Sequence, residues 1–391
     1  MSCSNRLVAR AQCLAVVFVL MSGIPTNGDA QTSTSLPPDT IKKLETIVES
    51  EKAKLGIPGL AIAIAVDNRI QYAGSFGLAD IENQVPVKNT TAFRTASIAK
   101  TFTATAVMQL VEQGKIDLDA PIQKYCPAFP EKNQPITARL LLTHQSGIRH
   151  YKNRLESAST THYSSITESL NAFKDEPLLF EPGAKYSYTT YGYSVLGCAI
   201  EGASGMKYED YMNRFVFQPA GMQHTRVDNH FVIIADRARG YIKAQPSTIP
   251  LLPDDIKTQA KAGMILNANL LDTSVKIAGG GQLSTAMDLA KFAIAVNTDK
   301  LMKRATREQM WKAYRAKDEK PTGYGFGWSI AETGNLRLVL NNGNQAGAKC
   351  ELWLFPDKGV VIAVMTNLSD SNLRDMLKNI QDLLLGFATQ Q

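Results

Sequence analysis

Ser97 and Lys100 lie three positions apart, a spacing that suits a serine nucleophile and its amine base. Positions i and i+3 share one face of a helix, so the hydroxyl and the amine can meet. A helix start also offers unpaired amides and a positive dipole end, which stabilise a developing oxyanion. These residue types favour serine acyl transfer, in which such an oxyanion develops. The pair alone is also typical of an N-cap serine followed by a solvated lysine.

A third group for proton transfer is offered by the tyrosines of a loop that lies ahead of the next helical stretch. The loop runs from Phe180 to Tyr193 and contains several tyrosines. A tyrosine on such a loop can project into a cleft and pass a proton to a leaving group. The alternative for any one of these tyrosines is an aromatic side chain that covers the core.

The histidines do not support a Ser-His-Asp hydrolase, because the chain contains no Gly-x-Ser-x-Gly turn. We interpret His144 as a hydrogen-bonded turn residue rather than a base. The histidines also lack metal-ligand spacing, so the sequence predicts neither a metal nor an organic cofactor. The residues considered are His144, His150, His162, His224 and His230.

Strand-like segments lie towards both ends of the chain, and helical periods fill its middle. This order predicts an α/β (α+β) fold, with an antiparallel sheet built from N- and C-terminal segments, flanked by helices. The sheet region comprises about 38–96 plus 276–388, and a mainly helical region of about 97–275 is inserted. Together they predict a single catalytic domain over 38–388. Irregular segments at 148–165 and 226–275 are predicted to be loops that shape the pocket.

The N-terminus has the layout of a secretory signal, with basic residues, a short apolar run and a small-residue cleavage site. We predict a signal peptide over 1–30, a linker over 31–37, and a secreted or periplasmic protein. A mitochondrial presequence is the alternative, but the apolar run lacks an amphipathic pattern. The run is too short to anchor the mature protein in a membrane. The net charge of +6 is not gathered in a basic tract, so no nucleic-acid partner is expected.

Once the signal is removed, the cysteines that remain are Cys126, Cys198 and Cys350. An odd number cannot pair completely within one chain, and the wide spacing suits no zinc motif. One disulfide is compatible with an oxidising compartment, but we favour buried thiols.

Several phrases, in order along the chain, resemble those of the serine β-lactamase-like family. That family includes class C β-lactamases, DD-peptidases, related carboxylesterases and eukaryotic β-lactamase-like proteins. The resemblance covers nearly the whole mature chain and implies a DD-peptidase/β-lactamase-like fold. The phrases are Ser97-Ile98-Ala99-Lys100, Leu141 to Gly147, Pro182-Gly183 followed by Tyr188-Thr189-Thr190, Phe217 to Met222, Gly279 to Leu289, and Tyr324 to Trp328.

The resemblance implies a role for each of these positions. Ser97 is the acylated nucleophile, and Lys100 is a neutral amine that takes its proton. Tyr188 relays the proton to the leaving group, as a phenolate favoured by nearby positive charge. The backbone amides of Ser97 and Asn344 form the oxyanion hole.

The chain departs from the family pattern at two motifs. Asn341-Asn342-Gly343 stands where the family has Lys or His, then Ser or Thr, then Gly, so a positive side chain is lost. Lys349 is near in sequence, but we do not favour it as the replacement. Thr190 stands where the family usually has Asn, and offers a shorter hydroxyl. Thr190, Asn341 and Gly343 are nevertheless the predicted substrate-binding positions.

These observations predict an exported serine hydrolase that acts through a covalent acyl-enzyme on an amide, β-lactam or ester. Its partner is a small-molecule or peptide-like acyl donor. The departures argue against an efficient, dedicated β-lactamase, so a carboxylesterase on the same fold is one alternative. A catalytically impaired binding protein is the other, although it would have no need for Ser97, Lys100 and Tyr188 together. The sequence leaves the oligomeric state open.

Overall fold

Alternating apolar side chains bring the first and last strands of the chain together at the centre of a sheet. A computed structural model describes residues 36–386, apart from Ser247 and Glu319. The predicted signal peptide and most of the predicted linker lie outside these residues. The strands are β1 (Gly59–Val66), β2 (Arg69–Asp80), β3 (Val85–Pro86), β4 (Phe93–Arg94), β5 (Arg226–Val227), β6 (Tyr241–Lys243), β7 (Ile265–Asn267), β8 (Gln282–Ser284), β9 (Ser329–Thr333), β10 (Leu336–Gln345), β11 (Ala348–Phe355) and β12 (Val360–Thr366).

The α-helices cover the sheet and fill the region between its two halves. They are α1 (Pro38–Leu55), α2 (Ala99–Glu112), α3 (Ala138–Leu142), α4 (Arg154–Ser157), α5 (Ile166–Ser169), α6 (Tyr191–Ser204), α7 (Tyr208–Met212), α8 (Gln218–Ala220), α9 (Asp254–Lys257), α10 (Ile277–Gly280), α11 (Ala286–Asn297), α12 (Arg304–Met310) and α13 (Arg374–Leu385). Within the described residues, no helix combines the length and apolarity that crossing a membrane requires.

The main sheet has seven antiparallel strands in the order β3-β2-β1-β12-β11-β10-β9. The N-terminal hairpin therefore lies beside the C-terminal strands, with Ile62 opposite Val364. This confirms the predicted α+β fold, in which both ends of the chain build one sheet.

The two faces of the sheet bury different sets of side chains, because successive residues of a strand point to opposite sides. Leu60, Ile62 and Ile64 of β1 pack with α1 and α13, whereas Ala61 and Ala63 belong to the larger core that includes α2, α6 and α11. The small alanines leave room for these helices. Residues 99–110 of α2 are buried all round, so a polar side chain on this helix meets protein and not bulk water.

The predicted loop segments at 148–165 and 226–275 contain only short elements, among them α4, β6, β7 and α9. Both segments contribute residues to the cavity beside Ser97, in agreement with their prediction as loops that shape the pocket.

Cys126 and Cys198 form a disulfide, which corrects our preference for buried thiols. Cys126 follows a short 3-10 turn and Cys198 lies on α6, 72 positions later. Cys350 is free and buried. The spacing in sequence could not identify the pair, because it depends on how α6 packs.

Candidate active site

Ser97 is the middle residue of a 3-10 turn, Ala96–Ile98, that leads directly into α2. Ala96 has a φ of +44°, a strained conformation for a residue with a Cβ, of the kind found at functional sites. β10 crosses this turn closely. A Cβ at position 343 would clash with the Thr95 carbonyl and lie 3.2 Å from the Ser97 nitrogen, so Gly343 permits the crossing.

Lys100 lies one turn further along α2 and is fully buried. Its Nζ is 3.1 Å from Ser97 Oγ, 3.3 Å from Thr190 Oγ1 and 2.6 Å from the Gly279 carbonyl oxygen. Burial lowers the pKa of the Lys100 ammonium well below its usual value, and no ion pair offsets this among the described residues. Lys100 is therefore set up as a neutral amine.

The neighbours of Lys100 fix the direction of its hydrogen bonds. A neutral amine has two N–H donors and one lone pair. The Gly279 carbonyl can only accept, and in the arrangement that leaves Lys100 free to act as a base the Thr190 hydroxyl accepts the second N–H. The lone pair then faces Ser97, which is the arrangement a base needs to take the serine proton.

Tyr188 approaches Ser97 from the loop ahead of α6, and its hydroxyl donates to Ser97 Oγ at 2.6 Å. Burial raises the pKa of Tyr188 to about 12, and hydrogen bonds to Ser97 and Thr190 oppose this only partly. The phenolate that we expected is therefore disfavoured, and the resting residue is a phenol. Lys100 lies 4.8 Å above the ring, but its neutral amine supplies little charge to stabilise a phenolate.

His144 supports Tyr188 and does not reach the reacting atoms. Its Nδ1 accepts from the Thr189 amide at 3.2 Å, and its carbonyl oxygen accepts from the Ser187 amide at 2.8 Å. Its ring lies 4.4 Å from that of Tyr188. Burial, reinforced by Lys100, lowers the pKa of His144 well below its usual value, so it stays neutral. These bonds agree with its interpretation as a turn residue.

Thr190 lies where the loop enters α6, next to both Lys100 and the cavity. Its amide donates to His150 Nδ1 at 3.2 Å. Burial, with the nearby Lys100 and Lys276, lowers the pKa of His150 to about 4, which keeps its Nδ1 available as an acceptor at neutral pH. The Thr190 hydroxyl thus holds the Lys100 amine where the family pattern has an asparagine amide.

The predicted third motif lies on β10 with its first side chain turned away from the cavity. Asn341 is buried, and its Nδ2 donates to the Gly327 carbonyl at 2.6 Å. Neither Asn341 nor Gly343 lines the cavity described here. Asn344 does line it, next to Ser97, and its side chain is held by Asp370 through bonds of 2.6 and 2.9 Å. The structure therefore brings Asn344 to the nucleophile and gives Asn341 and Gly343 positions that shape the strand.

Lys349 does not replace the missing cation. Its Nζ forms an ion pair with Glu351 at 2.8 Å, and it does not line the cavity. Alternate residues of a strand share one face, so Lys349 and Glu351 meet on β11.

The cavity beside Ser97 has a volume of about 430 Å³. A more apolar cavity of about 420 Å³ adjoins it and shares Arg154, Ala158, Ile242 and Asn269 with its lining. The first cavity is lined by Ala96, Ser97, His150, Tyr151, Arg154, Ser157, Ala158, Tyr188, Thr190, Ile242, Asn269, Lys276, Gly279, Gly280, Asn344, Gln345, Ala346, Ser369 and Asp370.

Sequence reasoning missed His150, Arg154 and Lys276, although all three line the cavity. His150 was set aside because no histidine suited a catalytic triad. Arg154 lies in a segment that was predicted only as a loop. Lys276 lies three positions before Gly279 of the Gly279-Gly280-Gly281 phrase, and this closeness is the one signal in the sequence.

The beta-lactamase family model matches residues 44–387 of the chain. Among curated proteins, the chain is 28% identical to the human serine beta-lactamase-like protein LACTB, mitochondrial, over 85% of this chain and 77% of that protein. It is also 28% identical to penicillin-binding protein 4* of Bacillus subtilis, over 88% of this chain and 76% of the relative.

Solved structures give the same picture of the fold. An octameric penicillin-binding protein homologue from Pyrococcus abyssi aligns with a TM-score of 0.73 and 28% identity, over 88% of this chain and 77% of that one. The D-amino acid amidase of Ochrobactrum anthropi SV3 aligns with a TM-score of 0.77 over 89% of this chain and 99% of that one. Its identity is 22%, so it supports the shared fold alone.

Proposed function

The chain belongs to the beta-lactamase family, and from that membership we propose that it is a serine hydrolase acting through a covalent acyl-enzyme. One observation carries the proposal: Ser97 Oγ lies between the Lys100 amine at 3.1 Å and the Tyr188 phenol at 2.6 Å, beside a cavity. Its substrate is an amide, β-lactam or ester of a small molecule or peptide.

In the proposed acylation, Ser97 Oγ attacks the substrate carbonyl carbon while its proton passes to the Lys100 lone pair. The carbonyl oxygen becomes an oxyanion, which the backbone amides of Ser97 and Asn344 stabilise. Because the phenol of Tyr188 is protonated at rest, it can donate to the leaving nitrogen or oxygen as the C–N or C–O bond breaks. The ammonium of Lys100 then returns a proton to Tyr188.

Deacylation reverses these roles around the acyl-Ser97 ester. A water attacks the ester carbonyl and passes its proton to the Lys100–Tyr188 pair. The pair then protonates Ser97 Oγ as it leaves. The burial that keeps the Lys100 amine neutral thus serves both half-reactions.

A carboxylesterase is the second candidate, and the position of Asn341 favours it. The family pattern places a cation on this strand, whereas the buried Asn341 amide is held by the Gly327 carbonyl at 2.6 Å. Without that cation, protonation of the leaving group receives less help. An ester with a good leaving group needs that help less than an amide does.

We also propose that the protein is exported to a secreted or periplasmic location. The apolar run near the N-terminus supports export, and the Cys126–Cys198 disulfide suits an oxidising compartment. The printed name of the human relative places that protein in mitochondria, so the destination needs a direct test. N-terminal sequencing of the mature protein, together with cell fractionation, would show cleavage near residue 30 if export is correct.

The experiment for the hydrolase proposal is steady-state turnover of a cephalosporin, a D-amino acid amide and a p-nitrophenyl ester. We compare the wild type with Ser97→Ala and with the control Ser75→Ala. Ser75 lies on β2, and its hydroxyl donates to the Asn89 side chain. Turnover of at least one substrate that disappears only in Ser97→Ala supports the proposal. Equal turnover by all the proteins would contradict it, and the substrate preferred would separate amidase, β-lactamase and esterase.

A further inference from the structure

A second buried lysine, Lys276, lines the same cavity as Ser97 and has no part in the proton transfers described above. Lys276 directly precedes α10, the helix whose Gly279 carbonyl holds Lys100. Only 4% of its surface is exposed. A hydrogen bond holds the backbone at this position, because the Lys276 amide donates to the Thr273 carbonyl at 2.9 Å.

The Lys276 ammonium lacks a countercharge in contact with it. Its Nζ donates to the Ser157 carbonyl at 3.2 Å and lies 5.5 Å from the centre of the Tyr151 ring. No carboxylate of the described residues lies within ion-pair distance of it. Asp228 is near, but its oxygens pair with Arg94 at 2.8 Å and Arg237 at 3.5 Å.

A buried amine without a countercharge is unfavourable for folding, since desolvation penalises the charged form. At Lys276 the consequence is a pKa of about 7, lowered first by burial and then by the nearby Arg94. A ligand anion in the cavity would supply the missing charge and restore the ammonium. The wall of the cavity also carries Arg154, which adds to the positive potential.

We infer that Lys276 is the anion-binding residue of the catalytic cavity, and that the preferred acyl donor carries a negatively charged oxygen group that reaches Lys276 while its carbonyl lies at Ser97. The inference rests on the proposed hydrolase function and names its substrate class. In this proposal Lys276, which precedes α10, supplies the positive charge that is absent at Asn341 on β10. A carboxylate and a phosphate share the required chemistry.

Asp370 is the acidic residue that lines the cavity, and it does not compete for Lys276. Its Oδ1 accepts from Asn344 Nδ2 at 2.6 Å, and no ion pair joins it to Lys276 in the described part of the chain. Asp370 instead orients Asn344, whose amide lies at the proposed oxyanion hole.

The pH dependence follows from the groups that face Lys276. Arg94 lowers its pKa and Asp228 raises it, whereas Lys100 is neutral in our account; Tyr151 and His150 are its other titratable neighbours. Burial keeps the Tyr151 hydroxyl protonated and His150 neutral, so neither changes charge near pH 7. The KM for an anionic substrate should therefore rise above about pH 7 as Lys276 loses its proton, while that for a neutral substrate should not.

The test uses matched esters that differ in their terminal group. One set contains the mono-p-nitrophenyl esters of adipate, pimelate and suberate, whose carboxylate is too distant to expel p-nitrophenolate readily; the second contains their terminal carboxamides, the third contains analogues that end in phosphate, and spontaneous hydrolysis is subtracted for each. Wild type, Lys276→Met, Lys276→Arg and the control Lys349→Met are compared. Methionine keeps the length of the buried stem without its charge, and thermal melting checks that each variant is folded.

We expect wild type to prefer a charged ester over its carboxamide, and Lys276→Met to lose about tenfold to a hundredfold in kcat/KM for that ester, chiefly through KM. The carboxamide should change less than about twofold, Lys276→Arg should keep the preference, and Lys349→Met should behave as wild type. The relative rates of the carboxylate and phosphate sets identify the anion.

Equal losses on charged and neutral esters, or a wild type without charge preference, would overturn the inference and leave the hydrolase proposal intact. If wild type hydrolyses none of the esters, the hydrolase proposal loses its support. Calorimetric binding of glutarate and of inorganic phosphate to wild type and Lys276→Met then decides the inference separately. Binding that needs Lys276 supports it, and binding that is absent or unchanged in the variant rejects it.

Discussion

The Lys100 amine lies 2.6 Å from the Gly279 carbonyl, and this bond joins the proposed base to the segment that carries Lys276. Two buried lysines thus lie on neighbouring elements, and burial lowers the pKa of each. Lys100 faces Ser97 with its lone pair, whereas Lys276 faces the cavity. The same chemical group serves proton transfer in one place and, in our inference, charge recognition in the other.

Replacing Lys100 by methionine should abolish acylation of Ser97, because the other group in hydrogen-bond contact with Ser97 Oγ among the described residues is Tyr188, a protonated phenol and a poor base. We expect a loss of at least about a thousandfold in the acylation rate. Lys100→Arg should be as inactive, since a guanidinium stays protonated. Stopped-flow acylation with a p-nitrophenyl ester measures both, and activity within tenfold of wild type in either variant would contradict the role.

The same lysine should make stability depend on pH. Burial lowers the pKa of Lys100 in the folded protein, so below the unfolded pKa of about 10.5 the unfolded chain binds the extra proton. The stability of wild type relative to Lys100→Met should therefore fall as the pH falls from about 10.5, by up to ~1.4 kcal/mol per pH unit. Denaturant unfolding of both proteins at several pH values measures this difference. A difference that does not change with pH would mean that Lys100 is charged in the fold.

Replacing Tyr188 by phenylalanine should impair substrates according to their leaving groups. The phenol is the proposed donor to the leaving atom, and a poor leaving group needs that proton most. We expect a loss of about a hundredfold or more for an amide or alkyl ester, and a smaller loss for a p-nitrophenyl ester. Tyr186→Phe is the control, because Tyr186 lies in the same loop as Tyr188 and burial raises its pKa as well. Equal losses on both substrates in Tyr188→Phe would argue for a positioning role only.

Asn341 should matter for stability more than for turnover. Its Nδ2 is the partner of the buried Gly327 carbonyl, so Asn341→Leu leaves that carbonyl unpaired. We expect a loss of about 1–3 kcal/mol in the free energy of unfolding, with kcat/KM for a small ester changed much less. Asn342→Leu, at the exposed neighbouring position, is the matched control. Loss of turnover without loss of stability would instead place Asn341 in substrate binding.

The disulfide should stabilise the fold measurably. Closing a loop across 72 positions restricts the unfolded chain, so Cys126→Ser with Cys198→Ser should lower the free energy of unfolding by about 2–5 kcal/mol. Reducing agent should lower the stability of wild type and leave the double variant unchanged. If reduction affects neither protein, the cysteines are thiols in solution.

The fold was predictable because its signals are local and periodic. β1 and β12 are continuous apolar runs, which are typical of strands buried on both faces, and the helical spacing of Leu44 and Val48 predicts α1. The link between Ser97 and Lys100 was predictable for the same reason, since their spacing brings them together on any helix. The distance from Tyr188 to Ser97 could be expected only from the family resemblance, because 91 positions separate them.

Other features depend on packing that no local pattern encodes. The pairing of Cys126 with Cys198 depends on where α6 packs. That Lys276 lines the cavity depends on the path of the surrounding loops. The expected phenolate of Tyr188 was wrong, because burial raises the pKa of its hydroxyl. The sequence suggests positive neighbours, but in the structure the nearest lysine is itself driven neutral by burial.

The central claim is that Ser97 carries the acyl group, and intact mass measurement tests it most directly. Wild type, Ser97→Ala and Lys100→Met are each incubated with a cephalosporin and with a p-nitrophenyl ester, quenched in acid, weighed and digested for peptide mapping. The account predicts an acyl adduct on the Ser97 peptide of wild type and on neither variant. An adduct of the same size on Ser97→Ala, or one mapped to another residue, would contradict it.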